Sequence, residues 1–430
     1  MPPPPPRTIS ISQPPHPSPQ PPTAHLKAHH NPQGKGFINP WPSWRDMNMW
    51  EIFKWGVLGR LTGERKFVET SPADPGGLLN VLKPGSGGDE RVKKGMISSR
   101  AGGGGGGKGK NLRTTWLGHA SFYVEFPGGL RVLFDPVFTP RCSPLSFLGP
   151  KRYTPPACGV RDLPRVDVVV ISHCHYDHLS YPTLVEIRER WKGDVVFCVP
   201  LGVREWFVKN GFEEARVLEL DWWEERDVEI SLGVERDYVD ENVDNVTAAT
   251  AAEEEREQQH KISATISCLP SQHMAARTPF DKAQTLWSSW SITSGNKKVW
   301  FAGDTGYRSI PKPSSPLTPT SEAQKFSHLP HCPAFHEIGS YRGPFDLGLI
   351  PIGAYSPRWI MSPMHANPFD AVEIFVETKC RRALGMHWGT WVLTDEEVME
   401  PPRLLREAIQ WKGLEEGVFE VCGIGEEREF

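Results

Sequence analysis

The chain has 430 residues, with 48 Lys and Arg set against 52 Asp and Glu for a formal charge of −4, and it carries 42 prolines and 40 glycines. Its cations are scattered, so there is no basic face to neutralise phosphates along a polynucleotide, which argues against a nuclease and against any nucleic-acid partner. No apolar run reaches the ~18 residues that a membrane-spanning helix requires. The eight cysteines, Cys142, Cys158, Cys174, Cys198, Cys268, Cys332, Cys380 and Cys422, show neither close pairing nor zinc-knuckle spacing. With no secretory signal in view they read as free thiols of a reducing compartment.

In chain order, residues 1–36 are dominated by Pro, Ser, Gln and His, cannot bury a core, and are expected to form a disordered or extended tail. Residues 37–73 form an aromatic arm, in which Trp41, Trp44, Trp50, Phe53, Trp55, Val57, Leu58 and Leu61 alternate with Arg45, Lys54 and Arg60. Such a mixture suits the headgroup boundary of a membrane, and it equally suits packing on the chain's own globular domain or across a dimer interface. Residues 74–111, with the glycine run 102–107, read as a flexible linker. One sizeable domain, 112–430, follows. Phe122, Val124 and Phe126 alternate with polar neighbours as in a half-buried strand. Strands are expected at 130–134, 166–171 and 195–199, with a helix at 182–191 between the last two. An acidic insertion at 235–261 and a Pro/Ser-rich one at 308–331 interrupt the pattern; the second either crowds or lids a site. A strand at 346–350, a helix at 368–379 with Ala371, Val372, Phe375 and Val376 on one face, and a buried strand at 382–386 complete the domain.

The most informative stretch is His173-Cys174-His175-Tyr176-Asp177-His178, which ends the apolar run 166–172. On extended backbone, side chains at i and i+2 point the same way. His173 and His175 can therefore grip one ion while Asp177 and His178, past the turn, face a second, as in a two-metal hydrolase. Imidazole and carboxylate are ligand types that zinc takes. Two ions need more ligands, and His273, Asp304 and His387 each follow a strand-like segment.

The order His-x-His-x-Asp-His, His, Asp, His resembles the metallo-β-lactamase superfamily. Within it, Trp116-Leu117-Gly118-His119-Ala120-Ser121, Leu148-Gly149-Pro150-Lys151-Arg152-Tyr153, Leu220-Asp221-Trp222-Trp223-Glu224-Glu225, Ala302-Gly303-Asp304-Thr305-Gly306-Tyr307 and Met386-His387-Trp388-Gly389-Thr390 resemble the N-acylphosphatidylethanolamine-hydrolysing phospholipase D family. The likeness runs, with interruptions, from Phe37 to about residue 402. It implies an α+β four-layer αββα sandwich and two Zn²⁺ per chain. His173, His175, His273 and Asp304 would hold one ion, and Asp177, His178, His387 and the shared, catalytic Asp304 the other. Tyr176 and His365 fall where the family contacts its phospholipid headgroup, and His365 is expected either to orient the phosphate or to help the leaving group through water. Asp135 and His119 are read either as partners behind the ligands or as a turn-forming Asp and a core-edge His.

The implied activity is phospholipase D-type hydrolysis of N-acylphosphatidylethanolamine to an N-acylethanolamine and phosphatidic acid. The metal ligands alone would equally allow a lactonase or small-molecule phosphodiesterase. A non-catalytic lipid-binding protein is disfavoured, because every ligand position holds a competent residue. Phospholipid, a peripheral membrane surface and a second copy in a homodimer are the expected partners. A cytosol-facing peripheral protein is expected in preference to a mitochondrial one, since so much proline prevents an amphipathic presequence helix.

Overall fold

The computed structural model describes residues 7–46, 49–62, 65, 67–74, 76–82, 111–231 and 261–430. Its strands are β1 (Thr8–Ser12), β2 (Arg113–Gly118), β3 (Ser121–Glu125), β4 (Arg131–Phe134), β5 (Val168–Val170), β6 (Val196–Pro200), β7 (Val217–Leu220), β8 (Glu225–Ser231), β9 (Lys261–Leu269), β10 (Ser289–Ser294), β11 (Lys297–Phe301), β12 (Leu347–Pro351), β13 (Ala383–Met386), β14 (Phe419–Glu420) and β15 (Glu427–Glu429). They form two sheets, one ordered β1-β8-β9-β10-β11-β12-β13-β14 and the other β15-β2-β3-β4-β5-β6-β7. Each is mixed: β4 to β7 run parallel in the second, and β11 to β14 run parallel in the first.

The sheets meet through large side chains. Phe134 and Phe301 lie 4.8 Å apart between ring centroids, and the buried Trp290 donates its indole N–H to the Ile171 carbonyl at 3.0 Å. A tryptophan filling a core still needs an acceptor for its polar edge, and here the bond also ties one sheet to the strand end that precedes the histidine cluster. Helices Ala334–Tyr341, Pro368–Glu377 and Glu400–Lys412 pack outside the larger sheet, and Arg204–Lys209 packs on β7. Asn367 caps the helix Pro368–Glu377 by accepting from Asp370 N, with Pro368 at the first position, where a missing N–H costs nothing. Val376 is the exception to the expected apolar face: it is exposed. Parallel strands in both sheets deliver their carboxyl ends to one edge, and the loops there build the site.

The expectation of a disordered or extended tail outside any core is corrected for residues 7–36, which are extended in part and packed on the domain. Thr8–Ser12 alternates apolar and polar residues, and it adds an outer strand to β8 with Ile9 and Ile11 packed on the core. The proline count obscured this two-residue period. Further along, His29 and His30 donate to the two carboxylate oxygens of Asp221 at 2.6 and 2.8 Å, His29 stacks on Trp222 with 4.1 Å between centroids, and Lys27 adds its ammonium at 2.9 Å. The start of the expected linker is also ordered: Asp74 accepts from Leu78 N and Leu79 N, and Leu82 N bonds the Ile424 carbonyl. The glycine run 102–107 lies outside the described residues, as does the acidic insertion except for Lys261. The second insertion forms a helix, Pro319–Lys325, that packs against Pro368–Glu377 and Glu400–Lys412, with Arg308 on Asp370 at 3.2 Å.

Candidate metal centre

Each of the seven histidines and aspartates read from the sequence as ligands leaves the end of a strand and turns inward. The 173–178 loop follows β5, His273 follows β9, Asp304 follows β11 and His387 follows β13. Close approach dictates the local sequence. A Cβ on Gly303, whose φ is +59°, would stand 2.6 Å from Ser172 Cβ, and one on Gly353 would stand 2.2 Å from the His387 carbonyl oxygen. His119, Asp135 and His387 hold left-handed backbone at φ 51°, 36° and 65°. Non-glycine residues keep that conformation only where surrounding contacts impose it. Trp116 helps to do so: its indole N–H donates to the His119 carbonyl at 2.9 Å while its ring stacks on Trp388 at 5.2 Å, and the same carbonyl accepts from His387 N.

Two triads result. His175 Nδ1 lies 2.8 Å from His173 Nε2 and 3.3 Å from His273 Nε2. His178 Nε2 and His387 Nε2 stand 3.2 Å apart, each 3.5 Å from Asp177 Oδ2. Asp304 Oδ2 sits between the triads, 3.1 and 3.0 Å from His178 and His387 and 3.9 and 3.8 Å from His173 and His273. Around a tetrahedral zinc with ligands at ~2.0–2.1 Å, neighbouring ligand atoms are separated by ~3.3 Å. The measured edges bracket that value.

A scan against known families matches residues 130–315 and 317–388 to the beta-lactamase superfamily domain. The chain belongs to this superfamily. Its fold is the metallo-β-lactamase fold, with two mixed sheets flanked by helices. This superfamily member is 34% identical over 320 residues to the N-acyl-phosphatidylethanolamine-hydrolyzing phospholipase D 1 of Caenorhabditis elegans, a match covering 73% of this chain and 75% of the relative. It is 33% identical over 301 residues to an uncharacterized protein of Mycobacterium tuberculosis, covering 69% of this chain and 64% of that one. To the mitochondrial N-acyl-phosphatidylethanolamine-hydrolyzing phospholipase D of Saccharomyces cerevisiae it is 30% identical over 306 residues, covering 70% and 53%. Among solved structures, the metallo hydrolase Igni18 of Ignicoccus hospitalis overlays with a TM-score of 0.44 at 18% identity, covering 75% of this chain and 99% of that one.

The residues present fit a metal, as the acceptors behind the rings show. Met364 O, 3.0 Å from His273 Nδ1, can only accept, so it fixes the proton on that nitrogen and leaves Nε2 a bare lone pair. Asp135 Oδ2 does the same for His178 Nδ1 at 2.6 Å. Ser172 Oγ donates to Asp135 at 2.6 Å and is thereby left to accept from His173 Nδ1 at 2.8 Å. With a cation in place three lone pairs would thus point inward, and Asp304 Oδ1 is buried without a hydrogen-bond partner. Converging lone pairs repel one another unless a cation lies among them.

Electrostatics says the same. Burial, helped by neighbouring imidazoles, holds His173 and His273 well below histidine's ordinary range. Burial also opposes charge on His178 and His387, but Asp304 and Asp177 outweigh it, lifting His178 well above its usual value and His387 to about 9. Burial favours the neutral forms of Asp177 and Asp304, yet His178 and its neighbours keep both well below the carboxylate range. The centre therefore attracts positive charge.

Asp135 and His119 stand behind the ligands, His119 Nε2 lying 3.1 Å from Asp177 Oδ2. Tyr176 does not join the triads. It is half-buried at the loop tip, with the Arg277 guanidinium 3.9 Å above its ring. His365 stands against the centre, its ring 5.1 and 5.3 Å from those of His273 and His387, with Nδ1 buried and unpartnered. Burial lowers its pKa to about 4 despite Asp304. Sequence reasoning missed Ser172, although it directly precedes His173. It also missed Arg277, whose Nη1 spans the metal loop by donating to Cys174 O at 2.7 Å and Leu179 O at 3.0 Å. Asn39 was missed too: its Nδ2 donates to the His273 carbonyl at 2.7 Å, and nothing in one dimension pairs positions 234 residues apart.

Proposed function

We propose that this metal-dependent hydrolase cleaves N-acylphosphatidylethanolamine in the manner of a phospholipase D, releasing an N-acylethanolamine and phosphatidic acid. The reading is carried by Asp304, whose one oxygen lies within reach of four imidazole nitrogens from two separate triads. The extended similarity to the nematode phospholipase D supports the lipid substrate. His173, His175, His273 and Asp304 would hold one zinc; Asp177, His178, His387 and Asp304 would hold the second. When bound, such ions supply Lewis-acid charge and a water acidic enough to be a nucleophile near neutral pH.

The chain's own residues do the rest. His365, neutral at physiological pH, can donate from one ring nitrogen to a phosphoryl oxygen while the other accepts, so it orients the phosphate rather than acting as a strong acid. A water oxygen would bond to phosphorus as the bond between phosphorus and the ethanolamide oxygen breaks, and the departing alkoxide must gain a proton, for which a water beside His365 would provide a path. Arg277, stacked 3.9 Å from the Tyr176 ring, places positive charge beside the 173–178 loop. A small cavity of about 30 Å³, lined by Tyr153, His387, Trp388, Trp391, Glu396 and Glu397, adjoins His387.

The test is to incubate the zinc-loaded full chain with vesicles containing N-acylphosphatidylethanolamine and resolve the products by mass. N-acylethanolamine and phosphatidic acid in equal amounts are expected. Diacylglycerol, free fatty acid, or turnover of lactones alone would overturn the proposal.

A further inference from the structure

The largest unexplained feature outside the centre is a set of big apolar side chains left in solvent on three separate segments. Phe280 is 93% exposed, Phe67 91%, Leu61 78% and Phe147 75%. Single exposed apolar residues are ordinary, but nearly bare phenylalanines on loop tips are not. The first segment is the arm, where the helical run 49–61 exposes Trp50, Phe53, Val57 and Leu61. The second is the loop 141–151, closed at its base by the bridge between Arg141 and Lys151, with Leu145, Phe147 and Leu148 exposed beyond it. The third is the loop 275–283, pinched by the bond from Ala283 N to Ala275 O, with Phe280 at its tip.

These segments are far apart in sequence, yet each is rooted at the metal centre. Loop 141–151 leads into Arg152, which stacks 4.8 Å from the Trp391 ring, and that ring lies 4.8 Å from His119. Loop 275–283 follows the ligand His273, and its Arg277 grips the carbonyls on either side of the 175–178 ligands. The arm touches the loop 275–283 and the cavity beside His387. Asp46 pairs with Lys282 at 3.2 Å, Val68 lines the same cavity as Tyr153 and His387, and Trp55 Nε1 donates to Asp395 Oδ2 at 2.7 Å. The arm was read as membrane contact, or as packing on its own domain or across a dimer interface. On one side Trp55 and Arg65 bond Asp395, while Phe53, Val57 and Leu61 are exposed.

We propose that these three segments form one docking surface for a phospholipid bilayer, placing the mouth of the metal centre against the membrane. The catalytic domain contributes two of the three points of insertion, through Phe147 with Leu148 and through Phe280. Aromatic and aliphatic tips suit the boundary between headgroups and acyl chains, and the exposed Lys54, Arg60, Lys151 and Lys282 beside them suit phosphate oxygens. Three separate tips with cations beside them suit a soft, fluid surface, which accepts each tip independently. The inference rests on the phospholipid reading of the centre, since a hydrolase of soluble esters has no use for such a mouth.

The test compares the full-length chain with Phe147→Ser and Phe280→Ser variants, singly and together, by flotation with phosphatidylcholine vesicles with and without phosphatidylserine. Losing each inserted aromatic should weaken partition by about tenfold, and Phe147→Trp should retain it. Turnover of a short-chain, water-soluble phosphodiester should stay at the wild-type level, because neither side chain touches the centre. Unchanged vesicle binding in the double variant, or a wild-type chain that fails to float, would overturn the proposal. A dimer that becomes a monomer on substitution would also overturn it, assigning the surface to contact between copies. Weakened flotation in a protein inactive on every phosphodiester would leave the docking surface standing and remove the substrate reading instead.

Discussion

Asp135→Asn tests the metal centre with a change of one atom. The carboxylate is fully buried and accepts three bonds: from Ser172 N at 2.8 Å, from Ser172 Oγ at 2.6 Å and from His178 Nδ1 at 2.6 Å. An asparagine can keep the first through its carbonyl oxygen, but its NH₂ then faces the other two partners. His178 can meet it only with a bare Nδ1, which moves the ring proton to Nε2, the nitrogen that should face the ion. Ser172 must turn its hydroxyl away from Asp135 and toward His173 Nδ1, shifting that ring's proton in the same wrong direction. Both halves of the centre should therefore weaken together. Outer-layer changes of this kind typically reduce metal affinity by about 10–100-fold, equivalent to about 1.4–2.8 kcal/mol, within the range expected for a lost charge-assisted hydrogen bond. Zinc competition against a chromophoric chelator, resolved into two sites, measures it, with circular dichroism of the metal-free protein as the control for folding. Two affinities within about twofold of wild type would refute the relay through Ser172.

Replacing His365 with Asn should lower kcat by about a hundredfold while leaving zinc content unchanged. Because burial sets that ring's pKa to about 4, both limbs of the pH-rate profile above pH 5 should persist in the variant, and loss of a limb would show that His365 titrates in turnover. At Asp221, burial disfavours the charge but His29 and Lys27 outweigh it and hold the carboxyl well below its ordinary value. A carboxyl depressed in this way contributes stability above its unfolded pKa of ~3.9 and loses it as pH falls further. The melting-temperature gap between wild type and Asp221→Asn should thus be constant near neutrality and close in acid; a gap that widens in acid would reverse the sign. Asn39→Ala removes the donor to the His273 carbonyl and should cost about 1 kcal/mol, seen as severalfold weaker zinc binding at the His173, His175, His273 site with little change at the other.

The His and Asp residues that converge, and their order, were legible along the chain because a strand has a two-residue period and each strand-like run ends at such a residue. The structure brings all seven together, with His365 beside them. Strands β4, β5, β6, β12 and β13 were legible as short apolar runs, while their parallel pairing was not. Two further things were not. Residues 7–36 were judged by their proline content, when the relevant fact was an unpaired edge on β8 and a buried Asp221 awaiting cations. The supporting layer, Ser172, Met364 O, Arg277 and Asn39, escaped because hydrogen bonds across 37 to 234 positions leave no local pattern.

The sequence by itself determined which side chains this protein offers to a metal and at which strand ends they stand, since composition and backbone period are properties of the chain alone. Only the tertiary structure decided which ring nitrogen carries the proton, which oxygen faces both triads, and which apolar residues remain in water beside the site. Those depend on distances between segments that the chain encodes far apart, and a burial cost or a lone-pair repulsion acts only once the segments have met.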